Sequence, residues 1–130
     1  MDVAGRTIIV TGASGNLGGA VAQAFRDRDA SVVLVARSTE SLARRFGTED
    51  TRQVFAAADL TRQEDTATVV ALALARFGRI DALCNVAGGF RMGVPVHETP
   101  DAMFDALYDV NVRSVLNMVR VVVPVMLAAR

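Results

Sequence analysis

The sequence has no lysine and no tryptophan, and it has only one cysteine and one tyrosine. The single cysteine, Cys84, excludes an internal disulfide framework and is typical of proteins kept in a reducing cytoplasm, where we expect this chain. Because lysine is absent, these residues supply no lysine amine to a catalytic site. The 14 basic residues, all arginine, balance 14 acidic ones, so no basic field predicts binding to nucleic acid.

Long apolar runs are also missing. No segment has the roughly 18 consecutive apolar residues of a membrane span, so no membrane association is expected. Residues 1–6 carry no signal-peptide pattern, and no metal site is predicted. The chain has 130 residues, of which 52% are hydrophobic and 5% aromatic. This composition predicts one domain with a small α/β core of Val, Ile, Leu and Ala.

Short apolar runs alternate with helical patterns along the chain. Strands are predicted at Thr7–Thr11, Ser31–Ala36, Gln53–Ala57 and Asp81–Asn85. Helices are predicted at Leu17–Arg28, Thr39–Phe46, Arg62–Phe77 and about Pro100–Ala129. We expect Thr61 and Glu64 to form a capping box, Gly78 to end the third helix, and Pro124 to kink or end the fourth. Strands separated by helices imply parallel βαβ units.

A glycine-rich turn, Thr11–Gly18, joins the first strand to the first helix. This arrangement can place a phosphate at a helix N-terminus, where backbone N–H groups are unpaired and the dipole favours negative charge. In this interpretation Gly12 permits a tight turn, Gly15 lets the backbone approach a pyrophosphate, and Gly18 permits close packing of helix on strand. The spacing differs from the common G-x-G-x-x-G fingerprint, and a purely structural glycine turn is the alternative.

The end of the second strand carries Arg37 and no acidic residue. An acidic residue there accepts from a ribose 2′-hydroxyl, whereas an arginine suits a 2′-phosphate, which favours NADP over NAD. The alternative is a solvated arginine. Asp59 follows the third strand, where it accepts from an adenine amino group or serves as a turn residue. Asn111 is an amide among valines in the last helix, so it has either a structural or a site role.

A family resemblance becomes specific when these segments are read together. The order and spacing of five segments resemble the short-chain dehydrogenase/reductase family, in particular members similar to 3-oxoacyl-acyl-carrier-protein reductases: Thr11–Gly18, Arg37, Asp59-Leu60, Asn85–Gly88 and Met103–Asn111. The resemblance covers the whole chain. It implies a three-layer Rossmann-like α/β fold with a partial four-stranded sheet, strand order 3-2-1-4 and helices on both faces. Residues 1–130 would form the N-terminal half of one NAD(P)-binding domain.

The resemblance also implies roles for individual residues. The pyrophosphate would lie on the glycine segment, with candidate contacts Gly12, Ser14, Gly15, Asn16, Leu17 and Gly18. Asp59 and Leu60 would contact adenine, while Asn85, Ala87 and Gly88 would line the cofactor. Asn111 would be the active-site asparagine, which holds a water in the proton relay. The implied reaction is NADP-dependent hydride transfer with a small carbonyl or alcohol substrate, in a homo-oligomer.

Two features depart from the family pattern. Compact members have glycine at the position of Asn16, whereas Gly15 matches the spacing of extended, epimerase-type members. The catalytic serine and the Tyr-x-x-x-Lys pair are also absent, since Tyr108 is followed four residues later by Val112. We therefore expect a chain that ends at residue 130 to be inactive alone and not to behave as a monomer.

Three functional hypotheses follow. In the first, these residues are half of an NADP-dependent oxidoreductase. In the second, they form a non-catalytic half-fold that binds nucleotide or self-associates, and in the third a structural remnant with an unused cofactor site. His97 is expected at the surface, Cys84 in the core, and the apolar stripe near the C-terminus in the core or a subunit interface.

Overall fold

The computed structural model describes residues 2–129. Its centre is a four-stranded parallel sheet in the order β3-β2-β1-β4, which confirms the predicted order. The strands are β1 Thr7–Thr11, β2 Ser31–Ala36, β3 Gln53–Ala57 and β4 Ala82–Cys84. The first three have the predicted bounds, and β4 is one residue shorter at each end. β1 and β2 run in register from Thr7 opposite Ser31 to Thr11 opposite Val35.

Helices connect and follow the strands. They are α1 Asn16–Arg26, α2 Thr39–Phe46, α3 Gln63–Phe77, α4 Asp101–Tyr108 and α5 Ser114–Ala128. A π-helical turn, Asp109–Arg113, joins α4 to α5, and a short 3₁₀ turn covers Val96–Glu98. The long helix predicted near 100–129 is continuous from Asp101 to Ala128, and it contains this π-helical turn. Wider turns of this kind interrupt the regular hydrogen-bond ladder and are frequent near functional sites.

The core lies on both faces of the sheet because successive strand side chains point in opposite directions. On one face Ile8, Val10 and Leu34 pack with residues of α1 and α2, including Ala22 and Leu42. On the other face Ile9 and Val33 pack with α3 and α5 through buried side chains that include Val69, Met118 and Val122. This arrangement gives the predicted three layers, with helices on both faces.

Two helix ends show ordinary capping chemistry, and one predicted cap is absent. Ser38 caps α2 by accepting from the backbone N–H of Ser41 at 3.3 Å, and Gly78 ends α3 in the left-handed region at φ 73°. The capping box predicted from Thr61 and Glu64 does not form. The N-cap of α3 is Arg62, so Thr61 lies one residue before the N-cap and Glu64 one residue before the N3 position that a capping box needs. The Thr61 hydroxyl instead donates to Oδ1 of Asp59 at 2.6 Å.

Pro124 does not end α5, which continues to Ala128. Of the two effects predicted for Pro124, a kink or an end of the helix, the end does not occur. A proline lacks only one backbone N–H, and the packing of α5 against α3 at Met118 and Val122 holds the helix across that gap.

The helical segment Asp101–Ala128 is long and apolar enough to span a membrane by composition, with a mean hydropathy of 1.5. Core helices of globular proteins meet the same criterion, so this is weak evidence of a membrane span.

Asp81 lies just before β4 and ties its start to the start of β1. Its carboxylate accepts from the backbone N–H of Thr7 at 2.9 Å, and it pairs with Arg6 at 3.1 Å and with Arg79. Burial of the carboxyl raises the pKa of Asp81, but the hydrogen bonds from Arg79, Thr7 and Arg6 outweigh it and hold that pKa below 3.8. The carboxylate therefore fixes the register of the β1–β4 pair.

Candidate functional site

A cavity of about 530 Å³ lies at the carboxyl ends of the strands, where ligands bind in open parallel sheets. Of the predicted cofactor residues, eleven line it: Gly12, Ser14, Gly15, Asn16, Leu17, Gly18, Arg37, Asp59, Leu60, Ala87 and Gly88. Asn85 and Asn111 do not line it. The glycine turn, the end of β2, the β3–α3 loop and the segment after β4 thus meet at one opening.

The glycine turn packs directly against the segment that follows β4. Gly12 has φ 65°, a left-handed conformation that favours glycine. A Cβ there would lie 2.8 Å from Cα of Ala87, so any larger residue would push the two cavity walls apart. The N–H of Gly15 donates to the carbonyl of Gly12 at 3.0 Å, which closes the turn and sets the direction of α1.

The N-terminus of α1 opens into this cavity. Gly15 is the N-cap, and it provides no side-chain cap. The first backbone N–H groups of a helix have no intrahelical acceptor, and here they belong to Asn16, Leu17 and Gly18. A Cβ at Gly18 would overlap the carbonyl of Gly12, so glycine is required where the helix meets the turn. The exposed N–H groups and the helix dipole together fit a phosphate.

Thr11 holds the opposite wall of the cavity, a role that sequence analysis missed. Its side chain is buried, and its hydroxyl oxygen accepts from the backbone N–H groups of Val86 and Ala87, both at 3.0 Å. The hydroxyl in turn faces the carbonyl of Cys84 at 3.4 Å. The Thr11 side chain therefore provides hydrogen-bond partners for three backbone groups at the end of β4. A threonine at the last position of β1, directly before the glycine turn, was the available signal.

Arg37 is exposed at the end of β2 and lines the cavity. Within residues 2–129 no carboxylate lies within 4.0 Å of its guanidinium. The positive charge of Arg37 acts on the carboxylate of Asp59. Oδ1 of that carboxylate accepts from the hydroxyl and the N–H of Thr61. These hydrogen bonds lower the pKa of Asp59, with smaller contributions from the charges of Arg62 and Arg37. The Asp59 side chain is thus a turn residue that also faces the cavity.

Asn111 lies in the π-helical turn and is bound to backbone groups. Its Oδ1 accepts from the N–H of Gly89 at 3.1 Å, and its Nδ2 donates to the carbonyls of Gly89 at 2.9 Å and Leu107 at 2.8 Å. A Cβ at Gly88 would lie 2.8 Å from that Oδ1. The side-chain amide therefore holds the loop that forms one edge of the cavity, and the active-site role of Asn111 stays a prediction.

A second asparagine, Asn117 on α5, supports the wall of the cavity at Leu60. Asn117 is 3% exposed, and its Nδ2 donates to the carbonyl of Leu60 at 3.0 Å. This contact ties α5 to the loop after β3. Ser114 also lines the cavity, with its hydroxyl donating to the carbonyl of Val110 at 2.7 Å. A buried amide within an apolar stripe was a readable signal for Asn117, whereas its partner could not be read from the sequence.

The remaining single residues have no contact with the cavity. Asn85 is exposed, one residue before the lining segment begins at Val86. Tyr108 is 44% exposed and stacks on Phe104, as expected for a helix residue near the surface. His97 is exposed in the 3₁₀ turn, and Cys84 is half-buried, with burial raising its thiol pKa. Cys84 packs beside the apolar cluster of β1 and β2.

Comparison with known proteins places this site in context. The family model for short chain dehydrogenase matches residues 6–130. The A-factor type gamma-butyrolactone 1'-reductase (1S-forming) of Streptomyces virginiae is 35% identical over 127 residues, which cover 95% of this chain and 49% of that protein. The L-fucose dehydrogenase of Oryctolagus cuniculus is 32% identical over 121 residues, covering 93% of this chain and 42% of that protein.

Solved structures agree with the fold. A short-chain dehydrogenase/reductase, a glucose/ribitol dehydrogenase from Brucella melitensis, superposes with a TM-score of 0.90 at 30% identity, covering 96% of this chain and 51% of that one. A metagenomic short-chain oxidoreductase in complex with NADP has a TM-score of 0.86 at 34% identity, covering 99% and 60%. The chain spans about half the length of the curated relatives it matches.

Proposed function

This chain belongs to the short-chain dehydrogenase family, and from that premise we propose that residues 1–130 form the cofactor-binding part of an NADP-dependent oxidoreductase. The reaction would move a hydride between the nicotinamide and a carbonyl or alcohol carbon. The observation that carries the proposal is the cavity of about 530 Å³ that joins the first turn of α1 to Arg37 at the end of β2. One end offers unpaired N–H groups, and the other offers a guanidinium.

The shape of the cavity supports a dinucleotide. Gly12 and Gly18 leave space that a Cβ would fill, so a pyrophosphate can approach the N–H groups at the start of α1. Asp59, Leu60 and Ala36 line the side where an adenosine would lie. Ala87 and Gly88 line the other side, and Thr11 and Asn111 hold that segment in place. When bound, the cofactor supplies the hydride chemistry, while these residues bind and orient it.

The preference for NADP rests on charge. Arg37 offers a planar fork that pairs well with a phosphate, and it stands at the position directly after β2 where a carboxylate would repel one. Among the structural neighbours, one is a complex with NADP, and a 3-ketoacyl-(acyl-carrier-protein) reductase from Brucella melitensis is complexed with NADH. Relatives of this fold therefore take either cofactor, so the choice depends on local residues such as Arg37.

Isothermal titration with NADP and NAD tests the cofactor. We expect NADP to bind more tightly, and we expect Arg37→Ala to remove most of the difference while leaving NAD affinity within about twofold. Arg28→Ala is the matched control, because it removes an exposed arginine that does not line the cavity and whose guanidinium donates to the carbonyl of Ala24. Equal affinities of the unmutated chain for the two cofactors would refute the NADP assignment.

Turnover has its own test. These 130 residues contain no lysine and no Tyr-x-x-x-Lys pair, so we propose that they bind cofactor without reducing a carbonyl by themselves. In the related mechanism a tyrosine exchanges the substrate proton, and nothing else here takes that role. Steady NADPH oxidation with a ketone, by protein of verified mass, would disprove this.

Self-association is the second candidate function. Apolar side chains along α4 and α5 are exposed, with Phe104 63% and Leu127 55% accessible, and a contiguous apolar surface usually marks an interface. We propose that the chain forms homo-oligomers through this face in the cytoplasm, whether or not it takes part in catalysis. Size-exclusion chromatography with light scattering tests this, and a monomeric peak at micromolar concentration would contradict it.

A further inference from the structure

The strand β3 lies at one side of the sheet. In the part of the chain that the structure describes, residues 2–129, β2 is the only strand that pairs with it. The N–H of Ala58 donates to the carbonyl of Ala36, so the even-numbered residues turn their backbone groups toward β2. Because this direction alternates along a parallel strand, the backbone groups of Gln53, Phe55 and Ala57 point away from β2. A strand edge of this kind is a template for pairing with another chain.

Residues 47–52 fold back over the start of this edge, and we call them the edge strap. The N–H of Asp50 donates to the carbonyl of Gln53 at 3.1 Å, and the two residues form an isolated antiparallel bridge. Oε1 of Glu49 accepts from the N–H of Phe55 at 2.7 Å. The edge strap therefore occupies two of the outward-pointing backbone groups that an added strand would need.

Asp50 fixes the edge strap from both faces of the sheet. Its Oδ2 accepts from Nη2 of Arg26, the last residue of α1, at 2.9 Å. Its carbonyl accepts from Nη2 of Arg76, on α3, at 2.8 Å. Since α1 and α3 pack on opposite faces of the sheet, the two guanidinium groups hold Asp50 across the edge of β3.

Two polar atoms in the residues that hold the edge strap are left without a partner among residues 2–129. Gln53 is 2% exposed, and its Nε2 donates to the carbonyls of Phe46 at 3.1 Å and Thr48 at 2.6 Å. Its Oε1 accepts no hydrogen bond, and Nη1 of Arg26 donates none, although both atoms are buried. Unpaired buried polar atoms cost free energy, and opening would let water reach them. The closed strap is thus a balance that a single substitution can change.

We propose that the edge strap protects β3 from pairing with a second copy of this chain, and that its opening exposes an edge that takes a strand from that copy. The partner is a second copy because β3 has the sequence Gln53–Ala57, QVFAA, without the charged residues or proline by which edge strands commonly repel another strand. Two copies would present the same edge to each other. The proposal is independent of the cofactor assignment, and its surface differs from the apolar face of α4 and α5.

Hydrogen exchange of the Phe55 amide, measured in dilute protein, tests whether Glu49 closes the strap. We expect Glu49→Ala to accelerate this exchange about tenfold or more, as for loss of a hydrogen bond to a charged group. Glu49→Gln keeps an acceptor oxygen and should stay within about threefold of the unmutated chain. Glu40→Ala removes an exposed carboxylate of α2 outside the strap and is the charge-matched control, with no change expected.

A second variant opens the strap without touching Glu49. Arg76→Ala removes an exposed side chain of α3 and with it the hydrogen bond to the Asp50 carbonyl. We expect it to accelerate exchange at both Asp50 and Phe55, because the strap then loses its contact with one face of the sheet. This variant carries the test if Glu49→Ala does not fold, which circular dichroism shows for each protein.

Light scattering tests the pairing itself. At equal concentration, the weight-average mass of Glu49→Ala should exceed that of the unmutated chain by about twofold, as copies pair across a two-fold axis. Ala57→Pro then locates the contact, because proline lacks the outward N–H and is tolerated on the free side of an edge strand. Added to Glu49→Ala, it should return the mass to that of the unmutated chain, whereas association through α4 and α5 would persist.

Three results would overturn the inference. Unprotected exchange of the Phe55 amide in the unmutated chain would show that the strap is open. Faster exchange in Glu49→Ala or Arg76→Ala without a larger mass would show that the strap covers no pairing edge. A larger mass that survives Ala57→Pro would place the association on another surface. None of these results bears on the NADP proposal, which the cofactor titrations test separately.

Discussion

Asn111 and Gly89 are joined by two hydrogen bonds in opposite directions, from the Gly89 N–H to Oδ1 and from Nδ2 to the Gly89 carbonyl. The amide therefore pairs with a peptide group as a neighbouring strand would. A π-helical turn carries the amide, and its extra width places Asn111 against the loop rather than along the helix. The edge of the cofactor cavity depends on this pair.

Asn111→Leu is expected to release the loop at Gly88–Gly89. The change removes three hydrogen bonds to backbone groups that are partly open to water, so we expect a loss of about 1–2 kcal/mol in the free energy of unfolding. Hydrogen exchange of the Gly89 amide should accelerate. Asn111→Asp keeps the acceptor for that amide, so its exchange rate should fall between those of the unmutated chain and Asn111→Leu. An unchanged exchange rate of the Gly89 amide in Asn111→Leu would contradict the role of these hydrogen bonds in holding the loop.

Thr11→Val is expected to destabilise the chain by about 1–3 kcal/mol, the cost of leaving buried donors without an acceptor. The substitution keeps the shape of the side chain but removes the oxygen that accepts from Val86 and Ala87. Thr11→Ser keeps that oxygen and should remain much closer to the unmutated stability. Urea unfolding of the three proteins measures the difference, and equal midpoints for valine and serine would show that the hydroxyl has no such role.

Two adjacent glycines should respond differently to alanine. Gly18→Ala forces a Cβ onto the backbone carbonyl of Gly12, and such overpacking costs about 1–3 kcal/mol. Gly19→Ala meets only the far end of the Arg45 side chain, which can move, and alanine gains about 1 kcal/mol of helix propensity. Thermal unfolding should show a clear loss for Gly18→Ala and little change for Gly19→Ala. A similar loss in both would disagree with the packing described.

Acid should weaken the tie between β1 and β4 at Asp81. Its pKa lies below the usual 3.8 in the folded chain, so its contribution to stability is complete above the unfolded pKa and is lost as the pH falls through the folded value. Asp81→Asn should therefore cost more stability at about pH 6 than at about pH 3, as measured by urea unfolding. Asp105→Asn, an exposed change on α4, is the control. An equal cost at both pH values would exclude this role for the carboxylate.

The centre of the sheet could be predicted from the sequence because its two inner strands, β1 and β2, are buried on both faces. Thr7–Thr11 and Ser31–Ala36 are continuous apolar or β-branched runs, and their bounds were predicted without error. The strand after Asp81 was predicted one residue too long at each end, because Asp81 uses its carboxylate on Thr7 and Asn85 turns outward to solvent. Polar residues at strand ends have partners that a linear pattern does not reveal.

The site was predictable where it depends on local chemistry and not where it depends on tertiary contacts. The glycine turn follows from the order strand, turn and helix, and its residues line the cavity as predicted. The Thr61–Glu64 capping box failed because α3 begins one residue later than the pattern suggests, with Arg62 as its N-cap. The π-helical turn before Ser114 gives no signal in the spacing of apolar residues, since its neighbours on both sides are helical.

The contact between Gly12 and Ala87 has a consequence for folding. The two residues are 75 positions apart, as are Thr11 and Val86, so the cavity wall closes a long loop of chain. Contacts of that separation form late, because the entropy of closing the loop is lost before they contribute. We expect the cofactor cavity to be among the last features to assemble and among the first to open. A bound cofactor would then slow unfolding of the chain, since it binds only the assembled state.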